Sequence, residues 1–257
     1  MAYSSTILAD APVGYWRLGE SSGTVAADAS GNGRDGVYHN GPALGSAGAI
    51  AGDSDTAASF DGADDYVAIP YQFNSANASW EAWVYLTSTP ANPVQIVGCE
   101  DGFGSNVADK LLYVDAAGKP NWYIYSSGAH TITGASALTL NAWHHLVGTA
   151  DGSTITLYVD GASVASASAG GSYAFYGSSN VWISGVAGAG GANPTLTYFP
   201  GVIDEAALYN FALSAAQVAA HYAAGAAAPG PKAPPISARP RLLQGASVVG
   251  SSVPIAS

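Results

Sequence analysis

The chain has 257 residues, of which 48% are hydrophobic and only 10% charged, and it contains 32 glycines. This composition favours many short strands joined by tight turns over a helical bundle. The net charge of -11 argues against nucleic acid as the main partner, because phosphate contacts need clusters of lysine and arginine.

The charge is distributed unevenly along the chain. Residues 1–228 hold all 18 acidic residues and four of the seven basic ones, whereas residues 229–257 hold three basic residues and no acidic one. A single cysteine, Cys99, excludes an internal disulfide framework. No secretory leader follows Met1, and no apolar run approaches the roughly 20 residues that span a bilayer. We therefore expect synthesis in the cytosol and no membrane partner.

Strand patterns recur through the first 210 residues. Residues 79–86 alternate, with Trp80 on one face and Glu81 on the other. Asp-Gly and Asn-Gly pairs mark turns between such segments. Short strands at this spacing predict a β-sandwich or barrel. Further strands are predicted over residues 121–125, 143–149 and 154–159.

One helix is predicted from Ala215 to about Ala224. Ser214 and Gln217 form a capping box before it, and Gly225 is a suitable stop. The Pro/Ala-rich stretch that follows cannot form a helix or a central strand. We therefore divide the chain into a domain over residues 1–225 and an extended arm over residues 226–257.

Seven segments form a recognisable series in chain order: residues 12–20, 28–36, 58–67, 81–84, 141–147, 157–161 and 201–210. Together they resemble the laminin-G-like, concanavalin A-like lectin/glucanase domains of bacteria and phages. The resemblance covers about Tyr3 to Gly225 and implies an all-β fold: a two-sheet antiparallel jelly-roll sandwich with one short C-terminal helix. It also implies a ligand surface at the loop edge or on the concave sheet, often with a bound calcium ion.

Catalysis by paired carboxylates is not expected. A glycosidase needs two carboxyl groups on either side of the scissile bond, and the glucanases of this fold carry acidic residues two apart on one strand. The chain has no such strand, since none of its glutamates has an acidic residue two positions away. These are Glu20, Glu81, Glu100 and Glu205. We therefore predict that the protein is not an enzyme.

Calcium is the metal that the acidic residues fit best, because it prefers carboxylate, amide and carbonyl oxygens. The resemblance implies a structural site formed by Asp28, Asn32 and Asp204; the alternative is that these residues only make turns and cap a strand end. A second candidate, at a loop edge, consists of Asp61, Asp64 and Asp65. For that cluster we favour the turn interpretation.

Exposed aromatic residues are the candidate carbohydrate platforms. Trp122, Tyr123 and Tyr125 lie on one predicted strand, and Tyr198 and Phe199 lie near a loop. An alternating strand buries one of its faces, so about half of the strand aromatics belong to the core.

An acidic domain joined to a basic, partly apolar arm favours a structural or binding protein of a bacteriophage particle, displayed on the virion surface. We expect capsid decoration, or a minor tail position, with the arm binding other virion proteins or copies of the same chain. Host-surface glycans are a further expected partner. A free glycan-binding lectin is the alternative, and a glycoside hydrolase is disfavoured. The predicted assembly residues are Lys232, Arg239, Arg241, Leu242 and Leu243.

Overall fold

The computed structural model describes residues 2–100, 108–125, 128–169, 180–185 and 196–226. It contains two helices and sixteen strands. In chain order these are α1 (Tyr3–Ala9), β1 (Gly14–Trp16), β2 (Val25–Ala26), β3 (Gly36–His39), β4 (Ala43–Ala47), β5 (Thr56–Asp61), β6 (Tyr66–Gln72), β7 (Ala78–Leu86), β8 (Val94–Glu100), β9 (Ala108–Val114), β10 (Pro120–Tyr125), β11 (Ala129–Thr133), β12 (Trp143–Ala150), β13 (Thr154–Val159), β14 (Ala162–Ser168), β15 (Asn180–Ile183), β16 (Pro200–Tyr209) and α2 (Ala215–Gly225).

The strands form two antiparallel sheets of eight strands each, which confirms the predicted sandwich. Sheet 1 has the order β14-β13-β12-β7-β16-β5-β4, with β1 paired to β16. Sheet 2 has the order β11-β10-β9-β8-β15-β6-β3-β2. The main core lies between them and includes Trp16, Trp80 and Trp122, all fully buried.

Strand β7 is buried along its whole length, although alternation alone predicts one buried face. Trp80 and Val84 face the core between the sheets. Trp83 faces the other way and packs under the helices, with its ring centroid 6.3 Å from that of Tyr3 in α1 and 5.8 Å from that of Tyr222 in α2. Both helices thus cover the outer face of sheet 1, which we call the closed face.

The C-terminal helix is confirmed, and it ends one residue later than predicted. The Ser214 hydroxyl accepts a hydrogen bond from the Gln217 backbone N–H, and the Gln217 side chain accepts one from the Ser214 N–H. Gly225 packs so closely that a Cβ there would lie 2.4 Å from Cζ2 of Trp83. Helix α1 was not predicted, because it is short and its N-cap, Ala2, makes no side-chain cap hydrogen bond. Both helices are too short to cross a membrane.

Candidate functional site

The outer face of sheet 2, which we call the aromatic face, carries a row of half-buried rings. In β6 the neighbours of Tyr66 alternate with it, so that Val67 points into the core and Tyr66 points outward; in β15 the same holds for Ile183 and Trp182. Val37 of β3, on this same face, is 42% exposed. The described helices lie on the other sheet, so we take the partly exposed rings of the aromatic face as the candidates for contact with a ligand.

Four rings form the aromatic cluster, at the part of this face where β3, β6 and β15 lie side by side. The Tyr66 ring stacks on His39, with centroids 4.6 Å apart and planes 11° apart. Its centroid lies 5.5 Å from that of Trp182 and 6.2 Å from that of Tyr198. Only Tyr198 was singled out from the sequence. The sequence interpretation missed Tyr66, Trp182 and His39. A signal was present for two of them, because Tyr66 and Trp182 alternate with apolar residues that point into the core.

The three aromatic residues predicted on β10 divide between the two faces of sheet 2. Trp122 is a correction: it is fully buried, its Nε1 donates to the Thr149 carbonyl at 3.1 Å, and it cannot stack on a ligand. It points inward because its two strand partners, Leu112 and Ile132, face the core. Tyr123 and Tyr125 alternate with it and remain half-buried on the aromatic face. Phe199 is also fully buried in the core.

The loop that leads into Tyr66 places three carboxylates beside the aromatic cluster. Oxygens of Asp61, Asp64 and Asp65 all lie within 4.8 Å of one another. The Asp64 carbonyl accepts a hydrogen bond of 2.6 Å from Asn40 Nδ2, which ties this loop to the turn after β3. Burial first of all, and then the charges of Asp61 and Asp64, raise the pKa of Asp65 to about 6.

Hydrogen bonds within this loop follow the turn interpretation. The Asp61 carboxylate accepts from the Ala63 N–H at 2.7 Å, and the Asp65 carboxylate accepts from the Asp61 N–H at 3.1 Å. Calcium at this edge stays a prediction.

The other predicted calcium ligands have separate hydrogen-bond partners. The Asp28 carboxylate accepts from the backbone N–H groups of Tyr15, Ser30 and Arg34, at 2.9 to 3.0 Å. Despite its partial burial, these bonds and the Ser30 side chain lower its pKa. Asn32 donates to two backbone carbonyls, those of Pro12 and Val13, each at 3.2 Å.

Asp204 has a free ligand atom. It is 2% exposed. Its Oδ2 accepts from the Ala49 N–H at 2.7 Å, while its buried Oδ1 has no hydrogen-bond partner. Burial, followed by the charge of Glu205, raises the pKa of Asp204 well above its ordinary value. An unpartnered carboxylate oxygen fits a cation, whereas Asp28 would have to give up backbone bonds to join it. Calcium here stays a prediction, and calcium titration of the full chain is its direct test.

Asp204 adjoins an ionic network on the closed face. The Arg17 guanidinium contacts Asp53 at 2.8 Å, Asp55 at 2.9 Å and Glu205 at 3.0 Å. Glu205, which also accepts from the Tyr15 hydroxyl, has φ +53° at an irregularity in β16, next to Asp204. Burial raises the pKa of Glu205 to about 7, against the opposing effects of Arg17 and Tyr15.

A second buried network links sheet 1 to both helices. Glu81 Oε2 lies 3.0 Å from His145 Nε2 and 3.0 Å from His221 Nδ1, and the Tyr209 hydroxyl donates to Glu81 Oε1 at 2.6 Å. His221 Nε2 lies 2.9 Å from Asp10, which follows α1. The sequence contained one signal for this network, a glutamate within an otherwise apolar strand, because a buried charge needs partners.

The fold is a β-sandwich with helices on the outer face of sheet 1 and an aromatic cluster on the outer face of sheet 2. Residues 61–219 match the model of the concanavalin A-like lectin/glucanases superfamily. The chain therefore belongs to this superfamily. A comparison with curated protein sequences found no match.

Solved structures with this fold come from several kinds of protein. Domain 4 of AbnA, a GH43 extracellular arabinanase from Geobacillus stearothermophilus, solved with arabinotriose, has a TM-score of 0.61 at 16% identity, covering 82% of this chain and 98% of that one. The sialidase of Trypanosoma rangeli has a TM-score of 0.59 at 19% identity, covering 82% of this chain and 32% of that one. The receptor-binding domain of botulinum neurotoxin mosaic serotype C/D has a TM-score of 0.60 at 12% identity, covering 84% and 51%. At these identities the likeness establishes the fold.

Proposed function

We propose that the protein is a non-catalytic carbohydrate-binding domain whose ligand surface is the aromatic face. The observation that carries this proposal is the aromatic cluster, in which three rings contact Tyr66 on the outer face of sheet 2. Aromatic rings present a large, rigid surface with a polar edge, which suits a ligand with both apolar and hydroxyl-bearing sides. The arabinotriose bound by AbnA domain 4 supports the proposal by likeness of fold.

The positions of the glutamates support the non-catalytic part of the proposal. Glu81 and Glu205 are buried on the closed face. The Glu20 carboxylate accepts from the Ala27 N–H and the Tyr38 hydroxyl, at 2.9 and 2.7 Å. Glu100 lies at the end of β8, and its side chain is outside the described residues.

Display on a bacteriophage particle belongs to the same proposal. The arm is expected to attach the domain to virion proteins or to copies of itself, with capsid decoration favoured over a minor tail position. Support comes from the acid-free, basic composition of residues 229–257 beside an acidic domain. The predicted assembly residues lie outside the described residues.

The test of carbohydrate binding compares the affinities of variants that each lack one aromatic ring. In the full chain, Tyr66→Ala and Trp182→Ala each remove a ring from the aromatic face, whereas Tyr222→Ala removes a stacked ring from the closed face. Oligosaccharides that bind the natural chain should bind both face variants about tenfold more weakly, equivalent to ~1.4 kcal/mol. Calorimetric titration measures this. Equal affinity in all three variants would place binding elsewhere.

A further inference from the structure

We infer that the aromatic face binds neutral glycans and discriminates against glycans that carry carboxylates or sulfates; this inference rests on the carbohydrate binding proposed above. A negatively charged sugar that leaves water needs a cation, or charge-assisted hydrogen bonds, at its destination. The positions of the lysines and arginines therefore decide which class of glycan this face accepts.

Both arginines of the domain are engaged away from the aromatic cluster. Arg17 lies on the closed face between three carboxylates. Arg34 donates to the Val13 carbonyl and lies 3.7 Å over the ring of Tyr71. Neither guanidinium is placed to pair with an anion on the aromatic face.

The two lysines of the domain are also removed from the cluster. Lys110 is 1% exposed, and its ammonium lies 5.4 Å over the core ring of Phe73. Lys119 lies in the turn between β9 and β10, and β8 separates that hairpin from the strand of Trp182. The segments 101–107, 126–127, 170–179 and 186–195 contain no lysine or arginine in their sequences. The domain thus has no further lysine or arginine to contribute.

The charge beside the cluster is negative. Asp61 and Asp64 are exposed in the loop before Tyr66, and the charge of Asp64 contributes to a raised pKa of Tyr198, after burial and the neighbouring Tyr66. These negative charges repel an anionic ligand, and dissolved salt screens the repulsion.

The neutral groups of the face match a sugar without charge. Ring faces carry negative charge density and attract the weakly positive C–H groups of a sugar ring. The side chains of His39, Asn40 and Tyr66 supply donors and acceptors for hydroxyl groups. Stacking and hydroxyl recognition are both available, whereas no lysine or arginine of the described residues is placed to compensate a ligand's negative charge.

The test uses the full chain with pairs of a neutral and an acidic oligosaccharide, such as lactose with sialyllactose, which has one carboxylate, and galactotriose with trigalacturonate, which has three. The array also carries arabinotriose. One variant, Asp64→Lys, reverses a charge beside the cluster; the control, Ala216→Lys, adds a positive charge on the exposed side of α2. A third variant replaces Lys232, Arg239 and Arg241 with glutamine, which removes the cations of the arm.

We expect neutral members to bind at least about tenfold more tightly than their acidic partners in the natural chain and in the arm variant. Asp64→Lys, and not Ala216→Lys, should narrow this preference about threefold or more, most clearly at low salt. Tighter binding of acidic members, lost in Tyr66→Ala, would overturn the inference and leave carbohydrate binding standing. Absence of binding to every member would overturn both.

Discussion

At the scale of single residues, the closed face concentrates buried charge. Glu81, His145 and His221 have fully buried side chains, and each histidine contacts the Glu81 carboxylate at 3.0 Å. Taking such groups out of water is costly unless each finds its partners. The interactions with His221 and His145 overcome the effect of burial and lower the pKa of Glu81. The pKa of His221 is raised, because Glu81 and Asp10 outweigh its burial.

Removing one member of this network should lower the free energy of unfolding much more than removing one member of a partly exposed ion pair. His221→Gln removes one of the two histidine partners of the buried Glu81 carboxylate and should lower the free energy of unfolding by about 3 kcal/mol. The control is His144→Gln, whose Asp160 partner is 32% exposed at the side chain; its expected cost is below about 1 kcal/mol. Urea unfolding measures both. Equal costs would show that the network is not a buried ion pair.

The raised pKa of Glu205 predicts how stability depends on pH. Because that pKa rises to about 7 on folding, the folded state holds more protons than the unfolded state between the ordinary glutamate value and about pH 7. The free energy of unfolding therefore falls as pH rises through this window. His221, with its raised pKa, adds a loss of stability as pH rises beyond the ordinary histidine value.

Glu205→Gln removes the carboxyl contribution and should flatten the decline in unfolding free energy between pH 5 and pH 7. Urea unfolding at pH 5, 6, 7 and 8 provides the comparison. An unchanged slope in the variant would mean that another group controls it.

At the scale of elements, alternation in β7 correctly predicted which residues share a face. The sequence could not show that the second face is also buried, since the layer that covers it comes from both ends of the described chain. Tyr3 and Tyr222 are more than 200 positions apart, yet both pack on Trp83. The capping box at Ser214 and the Asp-Gly and Asn-Gly turns were predictable because each depends on residues that are close together in the sequence. The aromatic cluster was not, because it joins β3, β6, β15 and the segment before β16.

Helix α1 depends on packing more than on its own sequence, since seven residues without a side-chain cap are marginal alone. Ile7 is fully buried against the closed face, and its neighbour Leu8 is 42% exposed. Ile7→Ala should therefore cost about 2–5 kcal/mol, whereas Leu8→Ala should change stability by no more than about 0.5 kcal/mol. Thermal and urea unfolding test this contrast. A similar small effect of both changes would show that α1 is not docked in solution.

At the scale of the whole molecule, the acidic domain and the basic arm predict separate roles. Truncation after Gly225 keeps α2 and the hydrophobic contacts of the closed face. The shortened chain should therefore keep its circular dichroism spectrum and its carbohydrate binding, while losing association with phage particles in co-sedimentation. Solution mass would reveal any self-association that depends on the arm. If the full and shortened chains sediment identically, the arm is not an anchor.

Because both helices cover sheet 1, the start of the arm and the aromatic cluster lie on opposite sides of the sandwich. The helix that leads into residues 227–257 lies on the side of the sandwich opposite the aromatic cluster, and α1 packs beside it. A support joined through the arm is therefore attached to the domain at its closed side. The same polarity makes the arm the natural point for immobilising the protein on a sensor, because the point of attachment then lies opposite the proposed ligand surface.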